Sequence, residues 1–180
     1  MTTTQRREKF KKTFAKVPIM MLQGSVGERI KRNFTHQDPT PPLKLAGLYY
    51  TENGHRGLDA VFHDYIQIAQ KYDLPMILHP YSKFTTPSMG KGTYWEDRDV
   101  SADNLNHCRS IVDGYPAIRD QIFIGTTMGF TGDPYNPFSG LDEEEAYLYY
   151  TDHAKKLETS MIDHVRTVSY THLRAHETSA

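Results

Sequence analysis

The sequence is poor in several features that assign a function directly. It contains a single cysteine, which excludes a disulfide framework and any metal site that needs several thiolates from this chain. Its formal net charge is -1, so neither nucleic acid nor an anionic membrane surface is an expected partner. No apolar run approaches the roughly 20 residues of a membrane-spanning helix, and the N-terminus lacks the apolar core of a signal peptide. These absences favour a protein of the reducing cytoplasm.

The composition suits a globular protein with a hydrophobic core. The chain has 180 residues, of which 38% are hydrophobic and 12% aromatic, so it makes one domain or part of a larger one. Residues 1–17 are basic, and Phe10 and Phe14 share one face of a predicted helix that covers the bottom of a barrel or sheet. Residues 18–167 carry the alternating patterns of the main domain.

The last segment, residues 168–180, has neither helical nor strand periodicity. From Val168 to Thr178 it spells a reading-frame translation of a transposon-end adapter used in preparing sequencing libraries, so we expect a non-native tail. The natural sequence is then expected to stop near Thr167, and His172 and His176 belong to the tail. A native disordered terminus is the alternative, and the parent nucleotide sequence decides between them.

Short apolar runs alternate with amphipathic segments along the main domain. Four runs without internal alternation predict buried strands, at residues 19–22, 74–78, 121–125 and 161–165. The segments between them predict helices, at residues 26–33, 58–72, 101–112 and from Asp142 onward. Strands that alternate with helices imply an α/β fold with a parallel sheet, whose binding sites lie at its carboxyl edge.

Gln23, Gly24 and Ser25 follow the first predicted strand and precede a helix. Side chains and amides at the carboxyl end of such a strand point into the ligand crevice of α/β proteins. Gly24 also lets a ligand approach the main chain closely. The three residues are therefore candidates for binding a substrate, and a tight strand-to-helix turn without a ligand is the alternative.

The later strands end in further candidate residues. His79 follows the second strand and is either a metal ligand or base, or a histidine that lines a pocket. Thr126, Thr127 and Asp133 lie beyond the third strand, where they are candidates for the mouth of a site. Asp133 lies between Gly and Pro, however, and this combination also favours a plain turn.

Four segments taken together resemble the homocysteine S-methyltransferase family, whose members are zinc-dependent (β/α)8 barrels that move a methyl group onto a thiol. The residues from Leu22 to Glu28 resemble the family's first-strand motif, normally Asp-Gly-Gly or Asp-Gly-Ala followed by Met-Gly-Thr. The other three segments, in the family's order, are residues 64–78, 124–135 and 141–146.

The resemblance implies that residues 18–167 are roughly the first half of a TIM barrel. It implies that the parent protein methylates the thiol of homocysteine to give methionine, with a methyl donor that the resemblance does not name. Gln23 stands where the family has an acid, so it accepts from the substrate amino group without a negative charge. The cysteine ligands of the family's zinc lie in the second half of the barrel, outside this chain, and Cys108 matches none of them.

The resemblance therefore predicts neither catalytic residues nor metal ligands within this chain, and a fragment that is inactive alone. A half-barrel leaves two strand edges unpaired, which favours self-association. Two alternatives stay open. One is a metal-dependent barrel hydrolase or lyase that uses His79 and Asp133, and the other is a non-catalytic α/β binding domain.

Overall fold

The computed structural model describes residues 2–33, 44–80, 92, 96–128, 141–159 and 162–167. Within these residues the chain has an α/β fold with a four-stranded parallel sheet. The strands are β1 (Met21–Leu22), β2 (Met76–Leu78), β3 (Ile122–Met128) and β4 (His164–Thr167). The predicted α/β class and the parallel sheet are confirmed. Asp133 and the tail from residue 168 lie outside the described residues.

The described part of the chain contains five α-helices, which are α1 (Thr3–Lys16), α2 (Val26–Asn33), α3 (Glu52–Lys71), α4 (Val100–Asp113) and α5 (Glu143–Thr159). Two 3-10 helices, Lys44–Tyr50 and Arg119–Gln121, precede α3 and β3. The boundaries of α2 agree with the prediction. The 3-10 helix before α3 was not predicted, and α3 begins six residues earlier than its apolar stripe because Thr51 caps it.

The four strands lie in the sheet in the order in which they occur along the chain. Met21 is in register with Met76, Ile77 with Phe123, and Gly125 with His164. A doubly wound sheet reverses its strand order at a switch point, whereas a (β/α)8 barrel adds every strand on the same side. The observed order without a reversal is the order of a singly wound sheet.

The hydrophobic core lies between one face of the sheet and the helices α3 and α4. Ile122 and Ile124 of β3 face this core, so strand alternation turns Phe123, Gly125 and Thr127 toward the opposite face, called here the inner face. The apolar stripe predicted for α3 supplies much of the core, namely Leu58, Val61, Phe62, Ile66 and Ala69. Tyr72 was assigned wrongly to that stripe: it follows the last helical residue and its side chain is 61% exposed.

The basic N-terminal segment forms α1, which lies against the amino ends of β3 and β4. The Arg6 guanidinium donates to both carboxylate oxygens of Asp163, at 3.0 and 2.9 Å, and to the carbonyl oxygen of Ile122. Phe10 packs its ring against Phe123 and His164, with centroids 5.2 and 5.0 Å apart. These contacts place α1 at the amino ends of β3 and β4, where Phe10 stacks on His164, whose ring also contacts His79.

Other boundaries also differ from those predicted. Strand β2 begins at Met76 instead of residue 74, and β4 spans His164–Thr167 instead of residues 161–165. Strand β1 has only two residues, and Ile19 is 63% exposed. Asp99, and not Ser101, caps α4, because its carboxylate accepts from the Ala102 amide at 2.9 Å. The third strand extends to Met128, so Thr126 and Thr127 belong to the strand and not to the loop after it.

Candidate functional site

The carboxyl edge of the sheet brings the predicted residues of β1 and β2 together. Gln23 follows β1 directly, and its side-chain nitrogen donates a short hydrogen bond to the carbonyl oxygen of His79, which follows β2. Parallel strands carry their carboxyl ends to the same edge, so this contact follows from the topology. Two residues 56 positions apart in sequence thus form one corner of a site.

The hydrogen bond fixes the orientation of the Gln23 carboxamide. A carbonyl oxygen only accepts, so the amide NH2 of Gln23 must face His79 and the side-chain oxygen must face away. This oxygen, Oε1, is buried and has no hydrogen-bond partner in the part of the chain that the structure describes. The residue as a whole is 8% exposed. Since a buried polar atom is normally paired, Oε1 is an acceptor prepared for a donor from a ligand.

The turn after Gln23 has a structural role as well. The Ser25 hydroxyl oxygen accepts from the backbone amide of Glu28 at 3.3 Å and so caps the first turn of α2. Gly24 lies beneath Tyr65, because a Cβ at this position would lie 2.8 Å from the Tyr65 hydroxyl oxygen. The close approach that requires glycine here is therefore made by a tyrosine side chain of α3.

His79 lies beside His164, the first residue of β4. Its Nε2 is 3.0 Å from Nε2 of His164, so one of these nitrogens donates to the other. The two rings cover Gly125, where a Cβ would come within 2.5 Å of Nε2 of His79 and closer still to the ring of His164. Glycine at position 125 is thus required for the pair to form.

His164 was not found from the sequence, because it lies 85 positions after His79 and no short motif connects them. The register explains the meeting: His164 pairs with Gly125, and Leu78, the residue before His79, pairs with Ile124. A histidine within the last predicted strand, residues 161–165, was the only signal available.

The two threonines of the third strand point to opposite faces of the sheet. Thr127 shares the inner face with Gly125, beneath the histidine pair, whereas Thr126 faces the helices and is 4% exposed. Alternation therefore separates two residues that the sequence placed in one loop. Asp133 lies outside the described residues.

A second polar cluster lies away from the sheet edge, in the layer of helices. It consists of His55 and Asp59 on α3 and His107 on α4, and their potential ligand atoms all lie within 4.8 Å of one another. Burial lowers the pKa of His107, and the nearby His55 lowers it further. The four-residue spacing of His55 and Asp59 was visible in the sequence, but nothing there connected them with His107.

The chain's cysteine does not provide a zinc ligand at the carboxyl edge. Cys108 is completely buried in the core between α3 and α4, and burial raises the pKa of its thiol to about 12. A thiol in this environment stays protonated, whereas a metal ligand must be a thiolate. The residues of this chain therefore do not fit the thiolate zinc site of the family that the sequence resembles.

Comparisons with known proteins found no matching protein family, curated protein or solved structure. No helix among the described residues is long and apolar enough to cross a membrane.

Proposed function

We propose that this chain is part of a zinc-dependent S-methyltransferase barrel that transfers a methyl group to the thiol of homocysteine to give methionine. One observation carries the proposal beyond the sequence resemblance, namely the buried and unpartnered Oε1 of Gln23 at the end of β1. The strand order without a reversal supports the barrel, because a doubly wound fold has a different order. Each part of the proposal is testable separately.

Gln23 is the residue proposed to bind the amino end of homocysteine. An ammonium group has three donors and no acceptor, so it complements an oxygen that can only accept. The ammonium group of homocysteine is charged, although Gln23 is neutral. A hydrogen bond between a charged donor and a neutral acceptor is stronger than one between two neutral groups. The carboxamide thus keeps the recognition that the family's acid provides, without the full ion pair.

The carboxylate of the same ligand is proposed to lie at the start of α2. The Ser25 hydroxyl accepts from the Glu28 amide, and its own hydrogen remains able to donate. The positive end of the α2 dipole favours a negative group at this position. Gln23 and Ser25, two residues apart, would then hold the two charged groups of one amino acid.

The chemical step is proposed to need residues beyond this chain. Zinc, when bound in such an enzyme, supplies a thiolate by deprotonating the sulfur that it coordinates. Cys108 does not fit that role, so we expect this chain to bind the amino-acid end of homocysteine and to have no methyltransferase activity alone. Its edge strands β1 and β4 each pair on one side within the described sheet, which favours self-association.

The test measures binding of homocysteine to the full chain by ligand-observed NMR, under reducing conditions. Gln23→Met keeps the length of the side chain and removes both the acceptor oxygen and the NH2 that donates to His79. We expect the Kd to rise about tenfold or more, since a hydrogen bond to a charged group contributes about 1.5–3 kcal/mol. Gln121→Met is the matched control, because Gln121 bonds to Asp73 and lies just before β3, at the other end of the sheet.

A ligand that lacks the amino group separates this proposal from nonspecific binding of thiols. 4-Mercaptobutanoate keeps the thiol and the carboxylate, and we expect it to bind the unaltered chain as weakly as homocysteine binds Gln23→Met. Equal affinity of the unaltered chain for the two ligands, or no effect of Gln23→Met, contradicts the proposed role of Gln23.

A second candidate function is a metal-dependent barrel hydrolase or lyase. The observation that favours it is the pair His79 and His164 on the inner face, because two imidazoles whose Nε2 atoms are 3.0 Å apart can share a metal ion or a proton. Two results together would favour this function over the methyltransferase. His79→Ala or His164→Ala would abolish binding of a metal ion to the chain, and Gln23→Met would leave the affinity for homocysteine unchanged.

A further inference from the structure

We propose that His55, Asp59 and His107 form a binding site for one divalent transition-metal ion between α3 and α4. The site is separate from the carboxyl edge and does not depend on the proposed methyltransferase function. His55 and Asp59 are four residues apart on α3, a spacing that puts both side chains on one helical face. His107 faces them from the middle of α4.

The distances within the cluster suit a small ion. Oδ1 of Asp59 is 2.9 Å from Nε2 of His107, and Oδ2 is 3.4 Å from Nδ1 of His55. Ligand atoms bound at about 2.1 Å around a tetrahedral zinc ion lie roughly 3.4 Å apart. Small rotations of the three side chains, whose ligand atoms all lie within 4.8 Å, therefore give the spacing of a metal site.

Two atoms of the cluster are buried without a hydrogen bond. Nε2 of His107 and Oδ1 of Asp59 lie 2.9 Å apart, at ion-pair distance, and apart from this contact neither atom has a hydrogen-bond partner among the described residues. The His107 side chain is only 7% exposed, so water does not easily replace the missing partner. A cation between the two lone pairs would satisfy both atoms at once.

The donor set selects the class of metal. Two imidazole nitrogens and one carboxylate oxygen suit Zn²⁺, Co²⁺ or Ni²⁺, whereas Ca²⁺ and Mg²⁺ require six or more oxygen ligands. The site is open on one side, because the His55 side chain is 41% exposed and leaves room for water as a fourth ligand. Tyr49 forms an opposite wall, with its ring centroid 5.3 Å from each imidazole.

The proposed consequence is a metal crosslink between two core helices. α3 and α4 pack together on the sheet, and the 3-10 helix that carries Tyr49 contacts both of them. An ion bound by both helices stabilises only the folded arrangement, since the ligands come from positions 48 residues apart in sequence.

The test uses the full chain freed of metal by a chelator, with Co²⁺ as the spectroscopic probe and Zn²⁺ as the competitor. We expect one Co²⁺ per chain at this cluster, with the visible absorption of four-coordinate Co²⁺, and a higher Tm with Zn²⁺. His55→Ala is the main variant because His55 is partly exposed and its loss leaves the core intact. It should weaken Co²⁺ binding about tenfold or more, and Asp59→Asn should do the same.

Two control variants change a histidine that is not one of the three proposed ligands. His63→Gln alters another histidine of α3, which bonds to the Tyr115 hydroxyl at 2.7 Å, and His79→Ala removes the pair at the sheet edge. Both should keep the Co²⁺ bound at the cluster. The proposal is overturned if the unaltered chain binds no Co²⁺ at micromolar concentration, if His55→Ala binds it as well as the unaltered chain, or if His79→Ala alone abolishes binding.

Discussion

The two ends of the sheet differ in how completely their polar groups are paired. At the amino end, the buried carboxylate of Asp163 accepts two hydrogen bonds from Arg6 and a third from the Ile124 amide. At the carboxyl end, Gln23 donates to His79, but its oxygen is buried without a partner among the described residues. The Asp163 carboxylate is thus satisfied from within the chain, whereas the Gln23 oxygen has no hydrogen-bond partner among the described residues.

This difference fits a stabilising role for the amino end and the binding role proposed for the carboxyl end. A buried charge without a partner is costly, so the Arg6 pair holds α1 against the sheet. A buried acceptor without a partner also costs free energy, and such a cost is typical of positions where a ligand supplies the missing group. In parallel α/β barrels, sites lie at the carboxyl end and stabilising contacts at the amino end, and the role proposed for Gln23 follows this division.

The largest expected effect comes from breaking the amino end. Asp163→Ala removes the carboxylate that pairs with Arg6 at 2.9 Å and with Arg109 at 3.7 Å and that accepts from the Ile124 amide, in a position where the side chain is 1% exposed. We expect the free energy of unfolding to fall by about 3–5 kcal/mol, the usual cost of breaking a buried ion pair by removing one partner. Urea denaturation followed by circular dichroism measures it.

Asp120→Ala is the matched control for this prediction. Asp120 also contacts α1, through Lys9 at 3.8 Å, but both side chains are largely solvated. An exposed pair of this kind contributes less than about 1 kcal/mol, so this variant should unfold almost like the unaltered chain. Similar losses for the two variants would show that burial does not distinguish these ion pairs.

An intermediate effect is expected from filling the space under the histidine pair. Gly125→Ala puts a Cβ into the rings of His79 and His164, and such overpacking costs about 1–3 kcal/mol. His164→Ala removes one of the two rings, so the double variant should recover part of this loss. A double-mutant cycle of unfolding free energies measures the coupling. Strictly additive losses would contradict the proposed contact.

The sequence was sufficient for the class of the fold because its signals are local. The apolar stripe from Leu58 to Ala69 and the short run before His79 each depend on neighbouring residues. The stripe is buried as predicted, and the run forms a strand over Met76–Leu78, within the predicted residues 74–78. Gln23 and His79 could also be placed at one edge, since parallel strands carry their carboxyl ends together. The barrel itself remains a proposal, because four strands in unreversed order define only part of one.

The remaining features of the sites depend on pairings between distant positions. His164 reaches His79 through the register of β3 and β4, and no pattern within either strand determines that register. His107 meets Asp59 through the packing of two helices, which depends on the shape of the core between them. The free oxygen of Gln23 follows from a single hydrogen bond, which no pattern of residues specifies.

The smallest expected effect compares two helix caps, one at each end of the sheet. The Thr2 hydroxyl caps α1 by accepting from the Gln5 amide, and the Ser25 hydroxyl caps α2 by accepting from the Glu28 amide, each at 3.3 Å. Replacing either residue with Ala should lower the unfolding free energy by about 1 kcal/mol. Only Ser25→Ala should also weaken homocysteine binding, by roughly three- to tenfold, because only that hydroxyl is proposed to donate to the ligand carboxylate. Unfolding in urea and ligand-observed NMR on both variants separate the two contributions. Equal homocysteine binding by the two variants would mean that Ser25 only caps its helix, and would restrict the proposed recognition to Gln23.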